Sequence, residues 1–284
     1  MSSNFAKRVK KQEKNVLKIS LYLLTFPKKR AIIKYELERV LICDLKCVIG
    51  NYDRRSDDIA NYRDEKETAK LRSSVLHAAA KHFLTRGFTA TTVKEIAKSA
   101  NVSTGTLMYV FKSKEEILAE LVRYVLEGQF ETAQNLVKGK TDDKVLFYAA
   151  ETTLQLHMAE SSEQIRELYA AAYSMPKTSE IIQHTITGKL EHIFKESLPH
   201  LETKDFYERE IASGGIMRGF MTIPCDMYFT MERKVKAFLE TTFLVYEVPK
   251  EKIRQAIDFV SQFDYPAIAQ NTIHSMLAYL ENRT

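Results

Sequence analysis

Residues 83–118 read FLTRGFTATTVKEIAKSANVSTGTLMYVFKSKEEIL, a stretch with closely spaced signals for the beginnings and ends of short helices. Thr92 and Glu95 have the spacing of a capping box, and the SKEE run that begins at Ser113 repeats it before a longer helix. Ser103 is placed to cap a helix between these two, and Gly87 to end the helix before them. The stretch therefore predicts two short helices joined by about four residues, which is a helix-turn-helix.

The second of these helices, 104–110, has two unlike faces. At about 100° per residue, turning Leu107 and Phe111 toward a core leaves Gly105 and Tyr109 on the opposite side. The residues that flank this outward face are Thr106 and Met108. A small, hydroxylated and aromatic surface suits insertion into a DNA major groove, where such groups contact bases and phosphates.

Two helix beginnings in the same stretch predict contacts to phosphates. Lys114 lies in the first turn of the helix that follows Ser113, so its charge adds to that of the helix amides. The amides near Thr91 and Thr92 offer a second position of the same kind. Such contacts orient a duplex without reading its sequence.

The segment from about Leu71 to Leu121 resembles the DNA-binding domain of the TetR-type transcriptional regulators. The matching residues are Gly87-Phe88, Thr91-Thr92-Val93, Ile96-Ala97, Ala100, Val102-Ser103, Gly105-Thr106-Leu107, Phe111 and Lys114-Glu115. The segment departs from the family at Met108, where Tyr is usual, and at Val110, where His or Tyr is usual. The DNA-binding residues expected from the helix faces and the resemblance are Thr91, Thr92, Ser103, Thr104, Gly105, Thr106, Met108, Tyr109 and Lys114.

The resemblance implies an all-α fold in which a three-helix DNA-binding domain precedes a helical ligand-binding and dimerisation domain. Family members are homodimers on pseudo-palindromic operators, and a small-molecule effector alters the spacing of their two DNA-binding heads. We therefore expect a transcriptional regulator that binds DNA and acts as a repressor. Its expected domains are a basic N-terminal extension (1–66), the helix-turn-helix domain (67–124) and the effector-binding and dimerisation domain (125–284).

The charge distribution fits this expectation. The 284 residues carry a net charge of +5, divided as +7 over 1–66, +4 over 67–124 and −6 over 125–284. A basic front on an acidic body is expected where one end of a chain meets a polyanion, although a solvated surface with uneven charge gives the same numbers.

The basic extension allows three interpretations. It has a Lys-rich start, a helical pattern over 28–49 and, after Gly50, a polar run without a pattern that predicts a linker. A basic arm on DNA would raise the affinity and steepen its salt dependence. The alternatives are an amphipathic helix on a membrane surface and an appendage without function, such as an upstream translation.

Beyond residue 140, helical patterns are separated by Pro176, Pro199, Pro224, Pro249 and Pro266. No stretch alternates with period two for long enough to predict a sheet. The expected helices are at about 142–158, 161–174, 178–198, 202–222, 230–247, 250–262 and 266–282.

Two further sites are expected in this half. Aromatic and Met side chains between the middle helices predict an effector pocket, although such residues also build ordinary cores. The pocket candidates are His157, Met158, Tyr169, Tyr173 and Met175. Two glycines four residues apart predict a close helix crossing, either in a dimer or within one chain. The candidates for the dimer interface, on 202–222 and 230–247, are Gly215, Gly219, Phe238 and Phe243.

Other functional classes find little support. Cys43 and Cys47 lack a neighbouring His or second Cys pair, so no zinc site is predicted, and no catalytic constellation is recognisable. We expect a reduced, cytoplasmic protein with no enzymatic activity, cofactor, metal or membrane association. The alternative function is a nucleoid-associated or protein-interaction DNA-binding protein without an effector, and a third is an enzyme built on the helical half.

Overall fold

The computed structural model describes residues 56–282, with side chains from residue 67 onward. The chain divides into two units, Met1–Glu65 and Lys66–Thr284, and the candidate sites lie in the second. Every described element is a helix, which confirms the all-α prediction for this part of the chain. The helices are α1 (Ser56–Arg86), α2 (Val93–Ser99), α3 (Thr104–Val110), α4 (Lys114–Val137), α5 (Lys144–Glu160), α6 (Glu163–Ser174), α7 (Pro176–Phe194), α8 (Thr203–Thr222), α9 (Met231–Val245), α10 (Lys250–Val260) and α11 (Tyr265–Glu281).

The linker predicted after Gly50 is wrong from Ser56 onward, because α1 begins there. The run that follows is polar and has no apolar stripe, but it also contains no Gly or Pro that would interrupt a helix. A missing stripe argues against a buried face and not against a helix. The helix predicted at 28–49, and Cys43 and Cys47, lie outside the described residues. None of the described helices is long and apolar enough to cross a bilayer.

The caps of the helix-turn-helix follow the sequence signals closely. The Thr92 hydroxyl accepts a hydrogen bond from the Glu95 amide (3.3 Å), and the Glu95 carboxylate accepts one from the Thr92 amide (2.9 Å). The Ser113 hydroxyl caps α4, but the Glu116 carboxylate accepts from the Lys112 amide (2.7 Å), so the expected reciprocal box reaches one residue further back.

Gly87 ends α1 in the left-handed region at φ = +88°. A Cβ at this position would lie 2.1 Å from the Glu167 carboxylate, so the backbone conformation and the close neighbour both require glycine. The helix-turn-helix is thereby packed closely against α6.

The described residues form two apolar cores. The smaller core lies among α1–α4 and is centred on large buried side chains such as Phe83, Leu107 and Phe111. Ala172 of α6, Ile182 of α7 and Leu280 of α11 also belong to it, so helices of the body complete the core of α1–α4, which we call the head. The partition predicted between residues 124 and 125 falls inside α4, which runs through both regions.

The larger core occupies the C-terminal body, where seven helices were expected and α5–α11 are found within about four residues of the expected bounds. Its buried aromatic rings come from six of these helices and the segment after α9, and they include Tyr148, Phe194, Phe206, Phe238 and Tyr246. The ring planes of Phe194 and Tyr246 stack with centroids 4.2 Å apart. Packing between buried aromatic rings therefore stabilises the body.

Candidate nucleic-acid interface

Helix α3 presents the face that its sequence spacing predicts. Leu107 and Phe111 are buried in the smaller core, whereas Tyr109 is 84% exposed and Met108 is also exposed. Gly105 lies on the exposed side, where a Cβ would meet only the Ser103 hydroxyl, at 3.7 Å. A backbone this bare allows close approach of another molecule.

The N-terminus of α3 is fixed by two hydroxyl groups. The Ser103 hydroxyl accepts a hydrogen bond from the Thr106 amide (3.0 Å) and shares a second hydrogen bond with the Thr106 hydroxyl (2.8 Å). Both residues, and Thr104 beside them, are exposed. A hydroxyl can donate one hydrogen bond and accept two, so each of these hydroxyls keeps a lone pair or proton for a base edge or phosphate.

Arg72 of α1 contacts the other end of α3, a role that no local sequence pattern indicated. Its Nη1 donates to the Val110 carbonyl (3.1 Å), and its guanidinium lies 4.4 Å from the Phe111 ring centroid. The same group forms an ion pair with Glu120 of α4. A cation at a helix C-terminus stabilises the exposed carbonyls there. Arg72 therefore fixes the position of the α3 C-terminus relative to α1 and α4.

Lys114 does not present a free ammonium group, which corrects its predicted role as a phosphate clamp. Its Nζ donates to the carbonyls of Phe88 (2.7 Å) and Thr91 (2.9 Å) and lies 4.3 Å from the Phe88 ring centroid. Burial lowers the pKa of Lys114, an effect that the Glu167 carboxylate partly opposes. The side chain ties the beginning of α4 to the turn between α1 and α2.

The amides proposed near Thr91 and Thr92 are also occupied within the chain. Thr91 is buried, its amide donates to the Phe88 carbonyl (3.3 Å) and its hydroxyl to the Gly87 carbonyl (2.7 Å). The Thr92 amide is bound by Glu95 in the capping box, and the Thr92 hydroxyl donates to the same carboxylate (2.8 Å). These residues shape the beginning of α2, and only Thr92 is exposed.

The helix-turn-helix carries two exposed lysines that the sequence-based site did not include. Lys94 lies in the first turn of α2, and Lys112 follows the last turn of α3. The residues that keep an exposed position at this surface are Thr92, Lys94, Ser103, Thr104, Gly105, Thr106, Met108, Tyr109 and Lys112. The surface thus combines hydroxyl groups, one aromatic ring and positive charge.

Polar contacts join this head to the body. The Glu167 carboxylate of α6 accepts a hydrogen bond from the Thr89 amide, in the turn between α1 and α2 (2.7 Å). At the start of α7, Lys177 donates through Nζ to the Glu116 carboxylate (2.6 Å) and through its amide to Glu115 (3.2 Å). These contacts lower the pKa of Glu116, the Lys177 side chain being the largest cause.

A cavity of about 580 Å³ lies between α4, α6 and α11. Of the residues predicted for an effector pocket, Met158, Tyr169 and Tyr173 line this cavity. His157 and Met175 do not. The His157 ring stacks on Tyr265 with centroids 5.2 Å apart, and burial lowers the pKa of His157 to about 4. Met175 precedes α7 and packs against the smaller core.

Sequence reasoning missed the walls that α4 and α11 contribute to this cavity. Gln129 of α4 lines it, and so does Met276 of α11, which lies across Gly128. A Cβ at Gly128 would be 2.6 Å from the Met276 Cε, so α11 approaches α4 closely there. A glycine in the interior of a long helix was the available signal for this approach.

Two of the four predicted dimer residues are wrong. Phe238 and Phe243 of α9 are fully buried in the larger core, so a second copy of the chain cannot reach them. Gly215 and Gly219 of α8 are exposed, and a Cβ at either would meet no atom within 4 Å. The glycines therefore do not serve a helix crossing among the described residues.

Several exposed apolar residues lie on α8, on α9 and on the segment that connects them, and we call this group the α8–α9 face. Its apolar members are Ile211, Ile223, Met227, Tyr228 and Leu244, all at least half exposed. Single exposed apolar side chains are common, but several around two helices and their connection are typical of an interaction surface.

Comparison with known proteins supports the assignment of the head. Residues 75–121 match the family model described as bacterial regulatory proteins, TetR family. The transcriptional repressor KstR2 of Mycolicibacterium smegmatis is 39% identical over 75 residues, which are 26% of this chain and 37% of KstR2. KstR2 of Rhodococcus jostii is 35% identical over 82 residues, or 40% of that protein. The chain thus spans less than half the length of these two repressors.

A further relative matches over more of its length. YhgD of Bacillus subtilis, described as an uncharacterized HTH-type transcriptional regulator, is 30% identical over 181 residues, which cover 60% of this chain and 81% of YhgD. Among solved structures, a transcriptional regulator from Rhodococcus sp. Rha1 aligns with 64% of this chain and 99% of its own, at 19% identity and a TM-score of 0.43. From the family model and the long match to YhgD, the chain belongs to the TetR family of bacterial regulatory proteins.

Proposed function

We propose that this protein is a transcriptional repressor that binds a pseudo-palindromic operator as a homodimer in the cytoplasm and is controlled by a small-molecule effector. The single observation that carries the proposal is the orientation of α3. Its buried Leu107 and Phe111 hold the helix, and its exposed Gly105, Met108 and Tyr109 face outward, in a segment that matches a family of regulators.

In this proposal α3 enters the major groove, where Tyr109 contacts a phosphate or a thymine methyl group and Thr106 contacts a base edge. The exposed Lys94, in the first turn of α2, and the exposed Lys112, directly after α3, replace Lys114 as the phosphate-binding cations. Arg72 and Lys114 act indirectly, by fixing α3 and α4 within the head.

The α8–α9 face supports the proposed dimer. Gly215 and Gly219 leave part of the α8 backbone without side chains, Ile211 is exposed one turn before Gly215, and Leu244 is exposed on α9. A second copy of the chain covers this face best, because a two-fold axis lets one patch meet its own copy. Two heads related by such an axis read two half-sites of opposite orientation.

The cavity and its helices support control by an effector over the alternative of an effector-independent DNA-binding protein. Leu168, Tyr169 and Tyr173 of α6 line the cavity, and Glu167 of the same helix binds the turn between α1 and α2. A ligand that shifts α6 therefore acts on the head through a hydrogen bond of 2.7 Å. The coupling free energy is limited by the difference in ligand affinity between the two arrangements.

Footprinting of the purified protein across the promoter beside its own gene tests the proposal. A protected site with two-fold symmetry is expected, and Tyr109→Ala is expected to weaken binding to it by about 1 to 3 kcal/mol. Tyr109→Phe separates the hydroxyl from the ring, and Gln262→Ala, an exposed residue after α10, serves as the surface control. Wild-type affinity in Tyr109→Ala, or the same loss in the control, contradicts the role of α3.

A further inference from the structure

The residues that line the cavity between α4, α6 and α11 restrict the chemical class of ligand that it can bind. Its lining combines aliphatic side chains with the aromatic rings of Tyr124, Tyr169, Tyr173 and Tyr279. Among the described residues that line it there is no Lys, Arg or His, and the carboxylates are those of Glu127 and Glu131. Both are exposed residues of α4, four apart, and lie on the same side of that helix.

One buried polar group on the wall has no partner. Gln129 is fully buried, and its Nε2 donates to the Tyr169 hydroxyl (2.6 Å). Its Oε1 accepts no hydrogen bond from any described residue. A buried carbonyl oxygen without a donor is unfavourable in free energy. A ligand that donates an N–H or O–H group to this oxygen offsets that unfavourable term.

From these two features we infer that the cavity takes an apolar, ring-containing ligand that is neutral or cationic and carries a hydrogen-bond donor, and that it discriminates against anions. The inference rests on the proposed function, because it names the class of effector for the same cavity. The Gln129 Oε1 accepts from the donor of the ligand, and the tyrosine rings contact its apolar body. Glu127 and Glu131 attract a positive charge at the exposed edge.

The discrimination against anions follows from charge. An anion in this cavity meets two carboxylates and no cation on the lining, while it also loses water. The nearby Lys189 is not a lining residue: its ammonium lies 3.8 Å from the Phe130 ring centroid. Burial lowers the pKa of Lys189, and the carboxylates of Glu151 and Glu127 oppose this shift, so Lys189 offsets part of the Glu127 charge while Glu131 adds a second negative charge at the same edge. A cation gains from the same carboxylates and from the faces of the aromatic rings.

A matched set of fluorescent probes tests the inference in the full chain. The probes share one tricyclic ring and differ in charge: 9-anthracenemethylammonium, 9-anthracenemethanol and 9-anthracenecarboxylate. The chain contains no Trp, so its own emission interferes little with a fluorescence titration. We expect the ammonium and the alcohol to bind, and the carboxylate to bind at least about tenfold more weakly than the ammonium, since two partly exposed carboxylates favour one charge and repel the other.

Two sets of variants assign the effect to residues. Glu127→Gln with Glu131→Gln is expected to weaken the ammonium probe about threefold to tenfold and leave the alcohol within about twofold. The control is Glu180→Gln with Glu208→Gln, two exposed residues that do not line the cavity. Gln129→Met is expected to weaken the ammonium and the alcohol while 9-methylanthracene, which has no donor, binds as before. Because Gln129 is buried, thermal unfolding of this variant is measured beside the wild type, and the Glu127 and Glu131 variants test the charge preference independently.

The outcomes separate the ligand class from the proposed function. Equal or tighter binding of the carboxylate, an unchanged probe preference in the Glu127 and Glu131 variant, or no binding of any probe overturns the ligand class. DNA binding is measured on the same preparations. Probe binding that follows the expected order without changing DNA affinity upholds the ligand class and contradicts effector control, whereas DNA binding that depends on Tyr109 while no probe binds upholds the DNA-binding role alone.

Discussion

Substitution of Gly215 separates the stability of α8 from the stability of the proposed dimer. A Cβ at Gly215 meets no atom within 4 Å, and the same is true of Gly188 on α7, which is also exposed. In the interior of a helix with free space, Gly→Ala stabilises the fold by about 0.5 to 1 kcal/mol. For a single chain, both positions should therefore respond alike, and Gly188→Ala should raise the free energy of unfolding by about this amount.

A larger side chain distinguishes the two positions. If α8 packs against its copy, Gly215→Leu places a side chain where two backbones meet, and overpacking of this kind costs about 1 to 3 kcal/mol. Two-fold symmetry introduces the change twice, so the free energy of dimerisation becomes less favourable by about 2 to 6 kcal/mol. The Kd of the dimer then rises by more than about tenfold. Gly188→Leu should leave the Kd unchanged. Sedimentation at several protein concentrations measures both, and equal Kd values for the two Leu variants would refute the role of the α8–α9 face.

Two further predictions concern charged groups. Lys114→Ala should lower the free energy of unfolding by about 1 to 3 kcal/mol, because the Phe88 and Thr91 carbonyls lose their donor. Lys112→Ala should leave unfolding unchanged and reduce the salt dependence of DNA binding by about one unit of slope, and the reverse pattern would restore Lys114 as a phosphate contact. Burial raises the pKa of Glu210 from 4.5 to about 8, with Ser213 opposing and Glu151 adding to the shift. Between these values the folded chain holds a proton that the unfolded chain has lost, so stability should fall as the pH rises through this window. Urea unfolding at several pH values should show a flatter profile for Glu210→Gln than for the exposed control Glu208→Gln, and identical profiles would contradict the buried, protonated state.

The elements of the head were predictable because their signals are local. A capping box such as Thr92 with Glu95, a hydroxyl cap such as Ser103 and a terminating glycine such as Gly87 act within four residues of their own position. The orientation of α3 followed from the apolar positions Leu107 and Phe111 alone. The C-terminal helices were found for the same reason, since proline and helical spacing are read from neighbouring residues.

The roles that were wrong or missed depend on contacts between residues far apart in the sequence. The ammonium of Lys114 is bound by carbonyls 23 and 26 residues away, and Arg72 reaches Val110 over 38 residues. No pattern within one helix reveals such partners. The dimer residues show a related limit: an aromatic side chain in an amphipathic helix faces either the core or a partner, and only the fold shows that Phe238 faces the core.

The position of the cavity explains why one helix can serve both the proposed ligand and the proposed operator. On α6, Tyr169 faces the cavity, while Glu167, two residues earlier, binds the Thr89 amide of the head and lies near Lys114. Close-packed helices move as bodies rather than deform, so a ligand that displaces Tyr169 also displaces Glu167. The hydrogen bond of Glu167 spans 2.7 Å, and a shift of about 1 Å is enough to break it. Gly87 leaves room for the same carboxylate, so the turn before α2 packs directly against Glu167. Glu167 is therefore the residue through which we expect a movement of α6 to reach the head.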